Sequence, residues 1–77
     1  MKTNELIKTA CHNAGLSYIA ASRAMGRNDN FIAATVNRNS VPKADTLAAM
    51  MDACGYVLAA VPADDVPGTA LVIDPSE

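Results

Sequence analysis

The chain is predicted to be mainly α: a compact bundle of about four helices followed by a C-terminal β-hairpin. Three observations predict it. Apolar residues recur at helical spacing between Leu6 and Cys54. Gly15, Gly26 and Gly55 fall where successive apolar stripes end, the place for a left-handed helix-ending residue. After Gly55 the pattern changes to "YVLAAV" and "TALVI", two β-branched runs on either side of "PADDVPG", which is turn chemistry.

The first helix is expected from about Asn4 to Ala14, with Thr3 or Asn4 as its cap. Leu6, Ile7, Ala10, Cys11 and Ala14 form one apolar stripe, and Glu5, Lys8 and His12 lie opposite. Ser17 caps a second helix to about Met25, with Ile19 or Ala20, Ala21, Ala24 and Met25 inward. A third starts near Asn28 or Asp29, both good caps, and runs through Phe31, Ile32, Thr35 and Val36 to about Asn37. "RNSVPK" is a loop, because Pro42 disfavours helix at Val41. The fourth helix covers about Ala44–Cys54, with Leu47, Met50, Met51 and Cys54 inward. Residues 1–55 then make one unit, and residues 56–77 a hairpin with an acidic tail. An isolated hairpin is marginal, so this one should pack on the helices or pair with a second copy.

Seventy-seven residues make one domain, and a chain this short buries only about 60–65% of its unfolded surface. Three aromatic residues leave the core to Ala, Leu, Ile, Val and Met. The four methionines read as core filler. Cys11 and Cys54 form no Cys-x-x-Cys pair and fall on apolar faces, where each reads as a small core residue. With His12 the single histidine, no metal site and no cofactor are expected. No Gly-rich phosphate loop occurs, and His12 has no nucleophile at a supporting spacing, so the chain is not expected to be an enzyme. "MKTNELIK" lacks the apolar run of a signal peptide, and "YVLAAV" is too short to span a bilayer, so a soluble cytoplasmic protein is expected.

The net charge of −2 is unevenly spread. Residues 1–61 hold all six Lys and Arg against four acids, a net of +2. Residues 62–77 hold four acids, Asp64, Asp65, Asp74 and Glu77, and no base, a net of −4. The body is mildly basic and the acidity belongs to the tail.

One stretch, "SRAMGRNDNFIAATVNRN" at 22–39, meets the steric demands of a helix-turn-helix. Ser22 is small where the second helix must cross the first. Met25 is apolar before the turn, and Gly26 supplies the left-handed residue. Ile32 and Val36, with Thr35 beside them, are the positions the second helix must bury. Asn28, Asp29, Asn30, Ala33, Ala34 and Asn37 then face outward as candidate base contacts. Asparagine bonds an adenine edge bidentately, alanine touches a thymine methyl, and a carboxylate accepts from a cytosine amino group. Arg23, Arg27, Arg38 and Lys43 flank this face as candidate phosphate contacts, with the helix start at Ser17 as a further one.

Residues 5–55 resemble the lambda-repressor/Cro-like helix-turn-helix domains, the XRE family. "LSYIAASRAMG", "NDNFIAATVNRN" and "VPKADTLAAMMDACGY" carry the likeness. It implies a DNA-binding transcription regulator, often from a phage, plasmid or toxin–antitoxin operon, and often a dimer. Double-stranded DNA and a second copy of the chain are the partners it implies. Two positions depart from the family pattern. Arg27 stands where an apolar residue usually follows the turn glycine, and Asp29 puts a carboxylate where the recognition helix meets DNA. The family's usual fifth helix is replaced here by the expected hairpin.

The acidic tail supports a second reading from another class. Clustered carboxylates imitate phosphates, so a small acidic helix-turn-helix protein of a mobile element, anti-CRISPR or antitoxin-like, would bind a nuclease complex or toxin instead of DNA.

Overall fold

The computed structural model describes residues 1–75. Four α-helices follow in order: α1 Thr3–Ala14, α2 Tyr18–Ala24, α3 Phe31–Asn37 and α4 Ala44–Ala53. Their inward residues close one core of Leu6, Ile7, Ala10 and Cys11 from α1, Ala21 from α2, Ile32 from α3, and Leu47, Met50 and Met51 from α4, with Cys54 just beyond. Ala10 and Ala21 are fully buried, and their lack of bulk lets the backbones approach closely. No helix among the described residues is long and apolar enough to cross a membrane.

The stripe expected on the first helix holds at four of its five positions, and Ala14 is exposed. The cap differs: Lys2 precedes the helix, its backbone N–H meets Glu5 Oε1 at 3.4 Å, and Thr3 is buried in the first turn. Ser17 caps α2 as expected, its Oγ accepting from the Ala20 N–H at 3.0 Å. Of the expected inward face, Ala21 is buried and Met25 packs on the core, whereas Ile19 and Ala24 are exposed and Ser22 is buried in addition. α2 makes only two turns and packs on α3 and α4.

Each turn is closed by main-chain bonds. After α2, the Gly26 N–H donates to Arg23 O at 2.9 Å and the Arg27 N–H to Ser22 O at 3.0 Å, with Gly26 left-handed at φ 72°. A Cβ there meets nothing within 4 Å, so only the backbone resists substitution. Gly26→Ala is expected to cost about 1–2 kcal/mol, read as a lower urea midpoint with unchanged slope. After α3 the left-handed residue is Asn39, at φ 53°. Its Oδ1 accepts from Asn4 Nδ2 at 2.6 Å, tying the end of α3 to the start of α1.

The expected C-terminal β-hairpin does not form. Among the described residues there is no strand: 56–61 has no regular secondary structure, Ala63–Asp65 make one 3-10 turn, and 69–73 is irregular. The main-chain groups that a hairpin would direct to 56–61 go elsewhere. The Asp74 N–H donates to Met1 O at 3.0 Å, and the Met1 ammonium donates to Val72 O at 3.0 Å and to Asp74 Oδ2 at 2.8 Å. Leu71 and Ile73 pack on the helical core. A lone two-stranded ladder is marginal in water, whereas a tail that buries apolar side chains on an existing core is not. The chain therefore returns to its own N-terminus. Glu77, one of the four tail acids, lies outside the described residues.

Candidate nucleic-acid interface

Ser22 sets the geometry of the site. It is fully buried where α2 crosses α3. Its Oγ donates to Tyr18 O at 2.7 Å and accepts from the Ile32 N–H at 3.1 Å. The first turn of any helix has N–H groups without an internal partner. Here one of them is satisfied from the neighbouring helix, so a single hydroxyl caps α3 and fixes its crossing with α2.

That arrangement explains why α3 starts later than expected, at Phe31 instead of near Asn28 or Asp29. Asn28 Oδ1 accepts from the Asn30 N–H at 3.0 Å and makes a local turn. Asp29 is taken by Arg23 of α2: Arg23 Nε and Nη2 donate to its two carboxylate oxygens, each at 2.8 Å. Neither residue caps the helix, and residues 28–30 form the turn that leads into it.

The Arg23–Asp29 fork changes the electrostatics of this surface. Both groups are exposed, so the pair adds little to stability. Its effect is local: a carboxylate that would repel phosphate carries its own counter-charge. Hydrogen bonding from Arg23 lowers the Asp29 pKa from its usual value, and the same bond raises that of Arg23. With a lowered folded-state pKa, the link is intact above the ordinary carboxylate pKa and is lost as pH falls through the depressed value. An NMR titration is expected to place the Asp29 carboxyl midpoint below that of an unpaired aspartate. A midpoint at or above the ordinary value would mean that the fork does not persist in solution.

The outward side of α3 is a shallow open depression of about 490 Å³, lined by Asn28, Asn30, Phe31, Ala34, Thr35 and Arg38. Three of the six expected base contacts, Asn28, Asn30 and Ala34, meet there with one expected phosphate contact, Arg38. Asn37 is exposed at the end of the same helix. Ala33 is half-buried, one step round from the depression. Asp29 is bound to Arg23. Arg27 lies over the Phe31 ring, 4.8 Å from its centroid, which anchors a cation at the rim. Ser17 and Lys43 are exposed at the starts of α2 and α4. Phe31 and Thr35 belong to this surface and were not among the expected site residues. The four-residue spacing of Arg27 and Phe31 was the available signal for the first.

A second exposed surface lies on the tail. Val57, Leu58, Val61, Val66 and Val72 are all exposed. Val57, Leu58 and Val61 of these line an apolar groove of about 420 Å³, with Met51, Tyr56 and Leu71 in its wall. Among the described residues, the backbone groups of 57–61 have no hydrogen-bond partner.

No model of a known protein family, no curated protein and no solved structure matches the chain.

Proposed function

We propose that the protein is a small sequence-specific DNA-binding transcription regulator, working in the cytoplasm as a dimer. The observation that carries this reading is the outward face of α3. A hydroxyl-locked crossing presents Asn30, Ala34, Asn37 and Arg38 on one side of a short helix, and the nearby carboxylate is neutralised by Arg23. Amide and methyl groups suit base edges, and cations at the rim suit phosphates. Arg27, Arg38 and Lys43 are the phosphate contacts in this reading. Arg23 supports them by silencing Asp29.

The test is fluorescence anisotropy against duplex DNA from the coding neighbourhood, at two salt concentrations. Sequence-preferring binding that weakens as salt rises is expected. No binding at low salt would overturn the reading.

The segment 57–61, whose main chain has no hydrogen-bond partner among the described residues, is the dimer contact in this proposal. Unpaired backbone flanked by exposed valines is a template for pairing with a twin. On this reading the two-fold dimer has to place its two recognition helices about 34 Å apart, one major-groove repeat. Sedimentation equilibrium at micromolar concentration is expected to give a dimer, and Val57→Lys a monomer. A monomeric wild type would remove this part.

The inhibitor reading draws on Asp64 and Asp65, both exposed in the 3-10 turn. Asp74 does not join them, because its carboxylate is held by the Met1 ammonium. Among the described residues, the two unpaired tail acids make a thinner phosphate mimic than the three the sequence places there. A stable complex with a basic nuclease or toxin, without DNA affinity, would favour that reading.

A further inference from the structure

Cys11 and Cys54 are the chain's two cysteines, and they stand apart by 43 positions. Folding brings their sulfurs to 3.7 Å in the core, where the thiols are in hydrogen-bond contact. Each is almost fully buried, and both are free. Around them the ends of α1 and α4 converge. Asn13 Nδ2 donates to the Tyr56 hydroxyl at 2.9 Å, so a second contact holds the same two ends together. Cys54 is the residue that closes α4, and the left-handed Gly55 follows it. The Cys54 side chain therefore hangs on the last, most yielding turn of its helix. A disulfide needs the sulfurs at about 2.05 Å, a shift of under two ångströms that a terminal residue makes by a small main-chain and χ1 adjustment.

We propose that Cys11 and Cys54 are an intramolecular disulfide site, a covalent staple that closes on exposure to a peroxide and encloses the whole helix-turn-helix. The ring it closes contains the end of α1, all of α2 and α3, and α4. The chemistry balances with hydrogen peroxide as oxidant. One thiolate attacks a peroxide oxygen, an S–O bond forms, the O–O bond breaks and hydroxide leaves. The second thiolate attacks that sulfur, the S–S bond forms, the S–O bond breaks and a second hydroxide leaves. The two thiol protons convert the two hydroxides to water. The sulfurs together lose two electrons, and the peroxide gains them. Burial pushes the Cys11 thiol up to about 12, so thiolate is scarce and the staple closes slowly.

The experiment uses the full native chain, incubated with hydrogen peroxide at neutral pH. Intact mass, thiol count after denaturation, and thermal midpoint are read with and without later dithiothreitol. The expected result is a monomer-sized chain lighter by two hydrogens with no remaining thiol. Because the chain has two cysteines, that product is the Cys11–Cys54 bond. Its thermal midpoint should rise by roughly 10 °C, since a staple round a loop of this length removes much unfolded-state freedom. Dithiothreitol should reverse both changes. The proposal is overturned if both thiols survive, if the sulfurs gain oxygen instead of joining, or if chains join to one another. It is equally overturned if the bond forms only in denaturant, or lowers the midpoint. Cys54→Ala, treated identically, is the control whose thermal midpoint should not rise.

Discussion

Ser22→Leu is expected to lower the stability of the fold by about 2–6 kcal/mol. Ser22 is fully buried, and leucine adds three carbons where α2 crosses α3. Overpacking a close crossing costs about 1–3 kcal/mol. Losing the hydroxyl also orphans the buried Ile32 N–H, which costs about 1–3 kcal/mol more. A domain of this size is stable by about 4–12 kcal/mol in all, so the two terms together remove a large part of it. Ser22→Ala separates them: it adds no bulk, removes the hydroxyl with its bonds to Ile32 N–H and Tyr18 O, and should cost about 1–2 kcal/mol. Urea unfolding followed by circular dichroism reads both. A leucine variant with the wild-type midpoint would mean that α2 and α3 do not cross as described. An alanine variant as damaging as leucine would assign the whole effect to the hydrogen bond.

Asn37→Ala and Arg38→Ala are expected to change DNA binding in two distinguishable ways. Asn37 is exposed at the end of α3, and on the proposed reading it bonds a base edge. Its loss should reduce the preference for the best sequence by roughly 5- to 150-fold, the range of one bidentate base contact. Non-specific binding should barely move. Arg38 borders the depression on α3 and on this reading holds a phosphate. Its loss should weaken binding to every sequence alike and flatten the logarithmic salt slope by about one per site. Anisotropy titrations of both variants against matched and scrambled duplexes read this. If neither variant differs from wild type, α3 does not enter a groove. If Arg38→Ala alters sequence preference instead, the roles are reversed.

The helical part was legible because its signals are local. Leu6, Ile7, Ala10 and Cys11 share a face by spacing alone, and Gly15, Gly26 and Gly55 each stop a helix by taking a left-handed conformation. Ser22 was legible as a small crossing residue, since sterics demand one. Its second task, capping α3 through Ile32, was not, because the two residues are ten positions apart. The start of α3 was misplaced for the same reason. Asn28 and Asp29 are both good caps by type, but a local turn takes one and Arg23 takes the other. The outward-facing Asn30, Ala34 and Asn37 followed from which positions had to be buried.

The hairpin fails on a competition that no local pattern records. "YVLAAV" and "TALVI" have strand composition, but the second run has a better offer: apolar surface for Leu71 and Ile73, and the main chain of Met1 for its polar groups. The same holds for the two cysteines, read one at a time as core residues and found in contact.

Sequence by itself therefore determined a mainly helical chain, the order of its helices, most of the faces that α1 and α4 bury and the position of the central turn. These follow from periodicity and backbone sterics, which act within a few residues. Tertiary structure alone decided what caps α3, what neutralises Asp29, where the tail goes and that Cys11 meets Cys54. Each of those depends on which groups find partners across the fold, and a hydrogen bond or a buried contact goes to the best partner in space, whatever its distance in sequence.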